Sequence, residues 1–300
     1  MAPDLHESVC GDQGGRILLI FLIAGVGMGG STMRPDAEQY PEVAAAGGDL
    51  TAALQAAAVK TGTRLVGLRD PYSPTGLSRH FAADFAAECG AVQVELRPER
   101  RGIEVLLRLP LAGVAGVCAV RSLEAAIEVV QDWQAGTPLA DMAARWELLR
   151  VSPEALAHDQ GKGVAHEWGY LRGLPDRLVD HDLVEAAFRS PELSALFPMV
   201  GHGSLQFRRL TVSDPGSDVP SIFPLGEGRW QVISLWDRDI PVRTADTADE
   251  AVRLVVEGLP QGCGSAVEVI HDARRAMASK ARDGDGTQQD SPVPTRSPHG

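Results

Sequence analysis

The residues best placed to do chemistry surround His202. Gly201 and Gly203 flank it, and the strand-like run that follows carries Arg208 and Arg209. A histidine between two glycines can approach a ligand closely, and adjacent arginines can hold a carboxylate or phosphate. The plainer alternative, a tight turn entering an edge strand whose arginines lie in water, is preferred. Trp230 and Trp236 bracket a later strand and could line a groove, although packing in the core or on a sheet face suits them better. His202, Arg208, Arg209, Trp230 and Trp236 are the candidate ligand-binding residues, and the turn at His202 with its two arginines is the first place to look for a small anionic ligand.

Other constellations are poorer. Asp237 and Asp239 form a D-x-D pair between two strands; such pairs can hold a divalent cation, but they are also ordinary hairpin-turn residues. Cys263, between Gly262 and Gly264, has no placeable base or positive neighbour, so packing in a small-residue turn outweighs a reactive thiol. His158, Lys162 and His166 fall on one face of an expected helix. The two histidines would then be about 12 Å apart along the axis, too far for one metal ion, and the face reads as solvated. Glu154 and His158 could share a metal, but nothing supplies the remaining ligands. H-E-x-x-H, G-x-S-x-G, Walker and Cys/His metal spacings are absent. No catalytic residue, metal ligand or cofactor site is therefore assigned.

The apolar run Ile17–Met28 is shorter than the roughly 20 residues a membrane helix needs. The acidic Asp4, Glu7 and Asp12 before it are wrong for a signal peptide. Gly25, Gly27 and Gly30 spell G-x-G-x-x-G, but Pro35 and Pro41 follow where a phosphate-binding helix should begin. Residues 1–32 are expected to be a disordered or mis-assigned extension ahead of Met33.

Charge and composition narrow the partners. The net charge of −12 opposes a nucleic-acid partner, which needs clustered positive charge. Lysine occurs only at Lys60, Lys162 and Lys280, and asparagine is absent; both biases fit a GC-rich genome. Cys10, Cys89, Cys118 and Cys263 are widely spaced, as in a cytoplasmic protein with reduced thiols.

The elements that must position these residues follow from periodicity. Helices are expected at Asp49–Lys60, stopped by Gly62, and at Leu77–Cys89, with Phe81 and Phe85 on one face. A short strand at Thr63–Leu68 lies between them. Val92, Val94 and Leu96 alternate with polar residues, as do Ile103, Val105, Leu107 and Leu109 beyond the turn at 98–102, which makes a hairpin. A third strand, Val114–Val120, precedes an amphipathic helix at Ser122–Gln134. Helices at Leu139–Leu149, Pro153–Leu171, Asp182–Phe188 and Pro191–Phe197 fill the middle. Strands at Leu205–Thr211, Ser221–Leu225, Arg229–Trp236 and Ile240–Thr244 follow. A helix at Thr247–Leu259 then opens with the capping box Thr247 and Glu250. Glu124, Ala125, Val129, Val130 and Gly136 recur at a constant offset as Glu250, Ala251, Val255, Val256 and Gly262. The echo fits either a duplicated module or two ordinary amphipathic helices.

The fold class is therefore α+β: two antiparallel β units, each followed by an amphipathic helix, with a helical middle. The expected divisions are 33–136, 137–200 and 201–280, with a disordered tail from 281 to 300.

The stretch Leu196–Thr211 (LFPMVGHGSLQFRRLT), the Glu-Ala helix with its Leu-Pro-x-Gly-Cys-Gly ending at Thr247–Gly264, and Ala155–Trp168 together resemble a family of uncharacterised proteins of GC-rich soil bacteria named for natural-product biosynthesis. The likeness runs over about residues 33–272. That family's pattern has serine where this chain has Gly201 and Arg208. The resemblance implies a setting and no catalytic residues. The expectation is a non-catalytic binding or accessory protein acting on an unknown protein or small molecule, with neither nucleic acid nor membrane as partner. Alternatives are a small-molecule enzyme with its site near His202 and Arg208, and an immunity-type protein that binds a basic partner.

Overall fold

The computed structural model describes residues 34–69, 80–88, 90–110, 113–201, 203–211, 218–234 and 241–285. All lie in one compact unit that starts at Thr32. His202, Trp236, Asp237, Asp239, Cys10, Cys89, Ile17–Met28 and the G-x-G-x-x-G run fall outside the described residues, as do residues 286–300.

The first half is built on an antiparallel sheet. Helices α1 (Pro41–Ala45) and α2 (Leu50–Thr61) lead into strands β1 (Leu68–Arg69), β2 (Ala82–Ala87), β3 (Gly90–Leu96), β4 (Ile103–Leu109) and β5 (Gly113–Val120). Then come α3 (Leu123–Gln134), α4 (Leu139–Arg145), β6 (Leu149–Val151) and α5 (Pro153–Asp159). The six strands lie in sequence order. The β3–β4 hairpin pairs Val94 with Val105, so its alternating apolar residues share one face. On that face α2 and α3 bury Leu54, Ile127, Val130 and Trp133 against Val92, Val105 and Leu107. Local caps set both helices: the Asp49 side chain accepts the Ala52 N–H, and Ser122 accepts that of Ala125.

The second half repeats the theme with a smaller sheet. Helices α6 (Gly163–Arg172), α7 (His181–Arg189) and α8 (Pro191–Ser194) precede β7 (Phe197–Gly201), β8 (Ser204–Arg208), β9 (Ser221–Gly226), β10 (Arg229–Ile233) and β11 (Arg243–Ala245). Helices α9 (Ala248–Glu257) and α10 (Val269–Asp285) close the chain. The five strands again lie in sequence order. Trp168, Leu183, Phe207, Ile222, Val232, Val255 and their neighbours form a second core. The capping box is present: Thr247 accepts the Glu250 N–H at 3.1 Å, and the Glu250 carboxylate accepts the Asp246 N–H. Antiparallel sheets with covering helices make the class α+β.

Several expected elements change. Leu77–Cys89 is not helical in its described part, because residues 82–87 are β2, paired throughout with β3. A spacing of four is shared by the helix and strand periods, so Phe81 and Phe85 face the core in either form; pairing with β3 decides. The strand expected at Thr63–Leu68 shrinks to Leu68–Arg69. Pro153–Leu171 is two helices, broken at Gly161 with φ 68°. The helices expected to reach Leu149 and Phe197 end early, at Arg145 and Ser194, because those two residues pair into strands as parts of β6 and β7. Residues 281–285, expected in a disordered tail, continue α10.

α10 does not stay with the second core. Ile270 and Met277 pack into the first, which brings the C-terminal helix back over the N-terminal half.

Candidate functional site

Of the sequence-predicted residues, the described Arg208, Arg209 and Trp230 do not come together. Leu205, Phe207, Ile222, Trp230, Val232 and Ala245 all face the second core, and strand alternation therefore turns Gln206 and Arg208 to the opposite face. Trp230 is a core residue at a β-bulge, and it lies across the sheet from Arg208. Arg209, beyond the strand, forms an exposed ion pair with Asp218 at 3.0 Å. Such a pair is worth at most about 1 kcal/mol.

The outer face that carries Arg208 has its own pattern. The register sets Met199 opposite Gln206, Gln231 opposite Phe223, and Ile233 opposite Ser221. Met199, Phe223 and Ile233 are half-buried, as are Gln206, Arg208 and Gln231, and Thr244 is exposed. Helices α6 and α9 build the core on the inner side, whereas on the outer side Phe197, opposite Arg208, lies against His158 of α5. The rest of the outer side sets Met199, Phe223 and Ile233 among amides and one guanidinium, with Ser204 and Ser221 buried between them. Periodicity alone could have shown this, since Phe223 and Ile233 are the out-of-phase members of β9 and β10.

The first sheet's outer face is more highly charged. Glu95 lies directly opposite Glu104, and Arg97 takes Glu104 through two bonds of 2.7 and 2.6 Å. Burial pushes the Glu95 carboxyl up; Arg108 opposes this, Glu104 adds to it, Arg97 again opposes and Asp84 again adds, and the net is upward. A carboxyl raised in the folded state contributes stability below its unfolded value, about 4.3, and that contribution is lost as pH rises through the folded value. Glu95→Gln is accordingly expected to stabilise the protein by about 0.5 kcal/mol at pH 7. The gain should shrink towards zero at pH 3. Urea unfolding at both pH values checks it, and an equal gain at pH 3 would be inconsistent with this origin.

Buried titratable groups gather instead at the junction of α5, α6 and α10. His158 was expected on a solvated helix face with Lys162 and His166. The break at Gly161 puts it inside: it is 2% exposed, with its ring 5.9 Å from that of Phe197. Its Nδ1 lies 3.9 Å from Oε2 of Glu268, beyond hydrogen-bond reach. The other Glu268 oxygen accepts the Val164 N–H at 3.0 Å, which caps α6 where Lys162 provides no side-chain cap. Backbone pairing of Val267 with Arg209 and Thr211 holds Glu268 there. Burial raises the Glu268 carboxyl, but His158, the Val164 N–H and Thr211 together outweigh burial and hold it below the usual range.

One turn of α10 further on, the His271 Nδ1–H donates to the Asp159 carbonyl at 2.8 Å. Arg274 then donates to the Asp159 carboxylate at 2.6 Å and to the Thr137 carbonyl, and lies 4.2 Å over the Trp133 ring. The other Asp159 oxygen accepts the Leu139 N–H at 2.8 Å. Glu268, His271 and Arg274 share one face of α10 at helical spacing, a signal visible in the sequence but without meaning until the partner surface is known.

Among the described residues no three His, Cys, Asp or Glu side chains gather as a metal ion would need. Among the same residues no helix is long and apolar enough to cross a membrane. Cys118 is buried, and burial pushes its thiol up to about 11. Burial likewise raises that of Cys263, against the opposing pull of Arg209.

No curated protein and no solved structure matches the chain. Residues 162–270, the span that builds the second core from α6 to the first turn of α10, match the model of a family of unknown function (DUF6193).

Proposed function

We propose that this is a non-catalytic binding or accessory protein whose contact surface is the outer face of the five-stranded sheet. The observation that carries the reading is the set of half-buried Met199, Phe223 and Ile233 on the face turned away from α6, α9 and the second core. Partly exposed apolar side chains set among polar ones are the mark of a contact site. The surrounding Gln206, Gln231 and Thr244 provide donors and acceptors without charge. On the sequence likeness described above, the work would be accessory to natural-product biosynthesis.

The test is affinity purification from the source organism, with mass spectrometry of bound proteins and metabolites, on the native chain and on Phe223→Glu. Phe223 is half-buried on the outer face, so the charge replaces contact surface and leaves the core intact. The expected outcome is a species held by the native chain and lost from the variant at equal folded yield. Identical recovery from both would exclude this face.

A further inference from the structure

We propose that α10 is a releasable strap: it docks across the first core by a polar clasp and lifts as a unit, independently of the outer-face reading. Its apolar hold is thin for its length. Within Val269–Asp285 the large apolar side chains sunk in the first core are Ile270 and Met277, with Ala273 partly buried. The rest of the hold is polar and specific: Glu268 to the Val164 N–H, His271 to the Asp159 carbonyl, Arg274 to Asp159 and Thr137. Every one of these bonds joins α10, or the residue before it, to a distant part of the chain.

The clasp is also incomplete. His158 Nδ1, Glu268 Oε2, Trp133 Nε1 and Arg274 Nη1 are buried without a hydrogen-bond partner among the described residues. All belong to α10, to the residue before it, or to side chains facing the clasp. A buried polar group without a partner opposes the state that buries it, and recovers hydration when that state opens. Lifting α10 frees these atoms together, whereas opening the first sheet would break the continuous β2–β3 and β3–β4 ladders. The interface is a close one: at Gly136, with φ 72°, a Cβ would stand 2.8 Å from the Arg274 carbonyl oxygen and 2.9 Å from the Met277 Cβ. A helix seated this tightly on a glycine leaves as a body.

Release would uncover the end of α3 at Trp133 and the Asp159 turn. It would also remove Met277 from the wall of an open cleft of about 780 Å3 lined by Val66, Gly67, Ala86, Gln134 and Ala135. Release thereby widens that cleft on the α10 side.

Hydrogen exchange of the full chain, read by mass spectrometry, tests this. Amides of 270–279 and the Val164 amide should exchange together, through one opening that leaves β3 and β4 protected. Arg274→Met, which removes the bonds to Asp159 and Thr137, should speed that set about tenfold or more and leave β3 and β4 unchanged. A gradient that frays inwards from the C-terminal end, with Ile270 exchanging only as slowly as β3, would overturn the proposal. So would a native chain in which α10 opens only with the sheets, a result that stands whether or not the variant folds.

Discussion

Arg274→Met is expected to cost the docked structure about 3–5 kcal/mol, because it leaves Asp159 as a buried charge without its partner. The two side chains are 3% and 6% exposed, so solvent does little to screen the loss. Methionine keeps much of the packing over Trp133, and the cost is therefore electrostatic. A protein of this size has a total stability of about 5–15 kcal/mol, which makes the expected loss a large share. If α10 releases as a strap, the global unfolding free energy cannot fall by more than the docking free energy, and the remainder appears as exposure of the helix. Tryptic cleavage after Arg275 should then rise sharply while the sheets stay folded. Arg274→Met with Asp159→Leu should recover part of the loss, because a buried ion pair can often be exchanged for apolar groups. Recovery stays partial, since the Leu139 N–H and Thr137 carbonyl lose their partners. An unchanged midpoint with no new cleavage would show that the pair is not buried as described.

Gly163→Ala is the second large effect, and two tendencies compete in it. Alanine is favoured over glycine in a helix by about 1 kcal/mol. Against that, the new Cβ would stand 2.3 Å from His158 Nδ1 and 2.8 Å from Glu268 Oε2. His158 is enclosed and cannot move aside, so overpacking wins, with an expected net loss of about 1–3 kcal/mol. The discriminating measurement is a double-mutant cycle with His158→Ala. Truncating the ring removes the obstruction, so the double variant should lose at least 1 kcal/mol less than the sum of the singles. Additive losses would mean that the two residues do not touch.

Both predictions lie at a junction that local sequence reading misplaced. Pro153–Leu171 carries helical residues on either side of Gly161, and a continuous helix turns His158 towards water. Gly161 breaks that helix, and the turn directs the imidazole inwards. Propensity cannot report a single glycine's choice between a tolerated helical position and a break, because the energies differ little. The helix expected around Phe81 and Phe85 failed for a related reason: alanine-rich residues favour a helix locally, and β3 supplies a ladder that outweighs the preference. The candidate ligand residues were chosen by type, and geometry separates the three described ones, with Trp230 in the core, Arg208 on the other face and Arg209 tied to Asp218.

By itself the sequence determined the local grammar: the alternation that makes β3 and β4, the caps at Asp49, Ser122 and Thr247, the amphipathic α3 and α9, and hence two antiparallel sheets with covering helices. Each rests on residues a few positions apart, where spacing reads directly as a face. Tertiary structure alone decided that α10 returns to the first core and that His158, Asp159, Glu268 and Arg274 meet. Those contacts join residues more than 100 positions apart, and no local period records which distant surface a helix will bury.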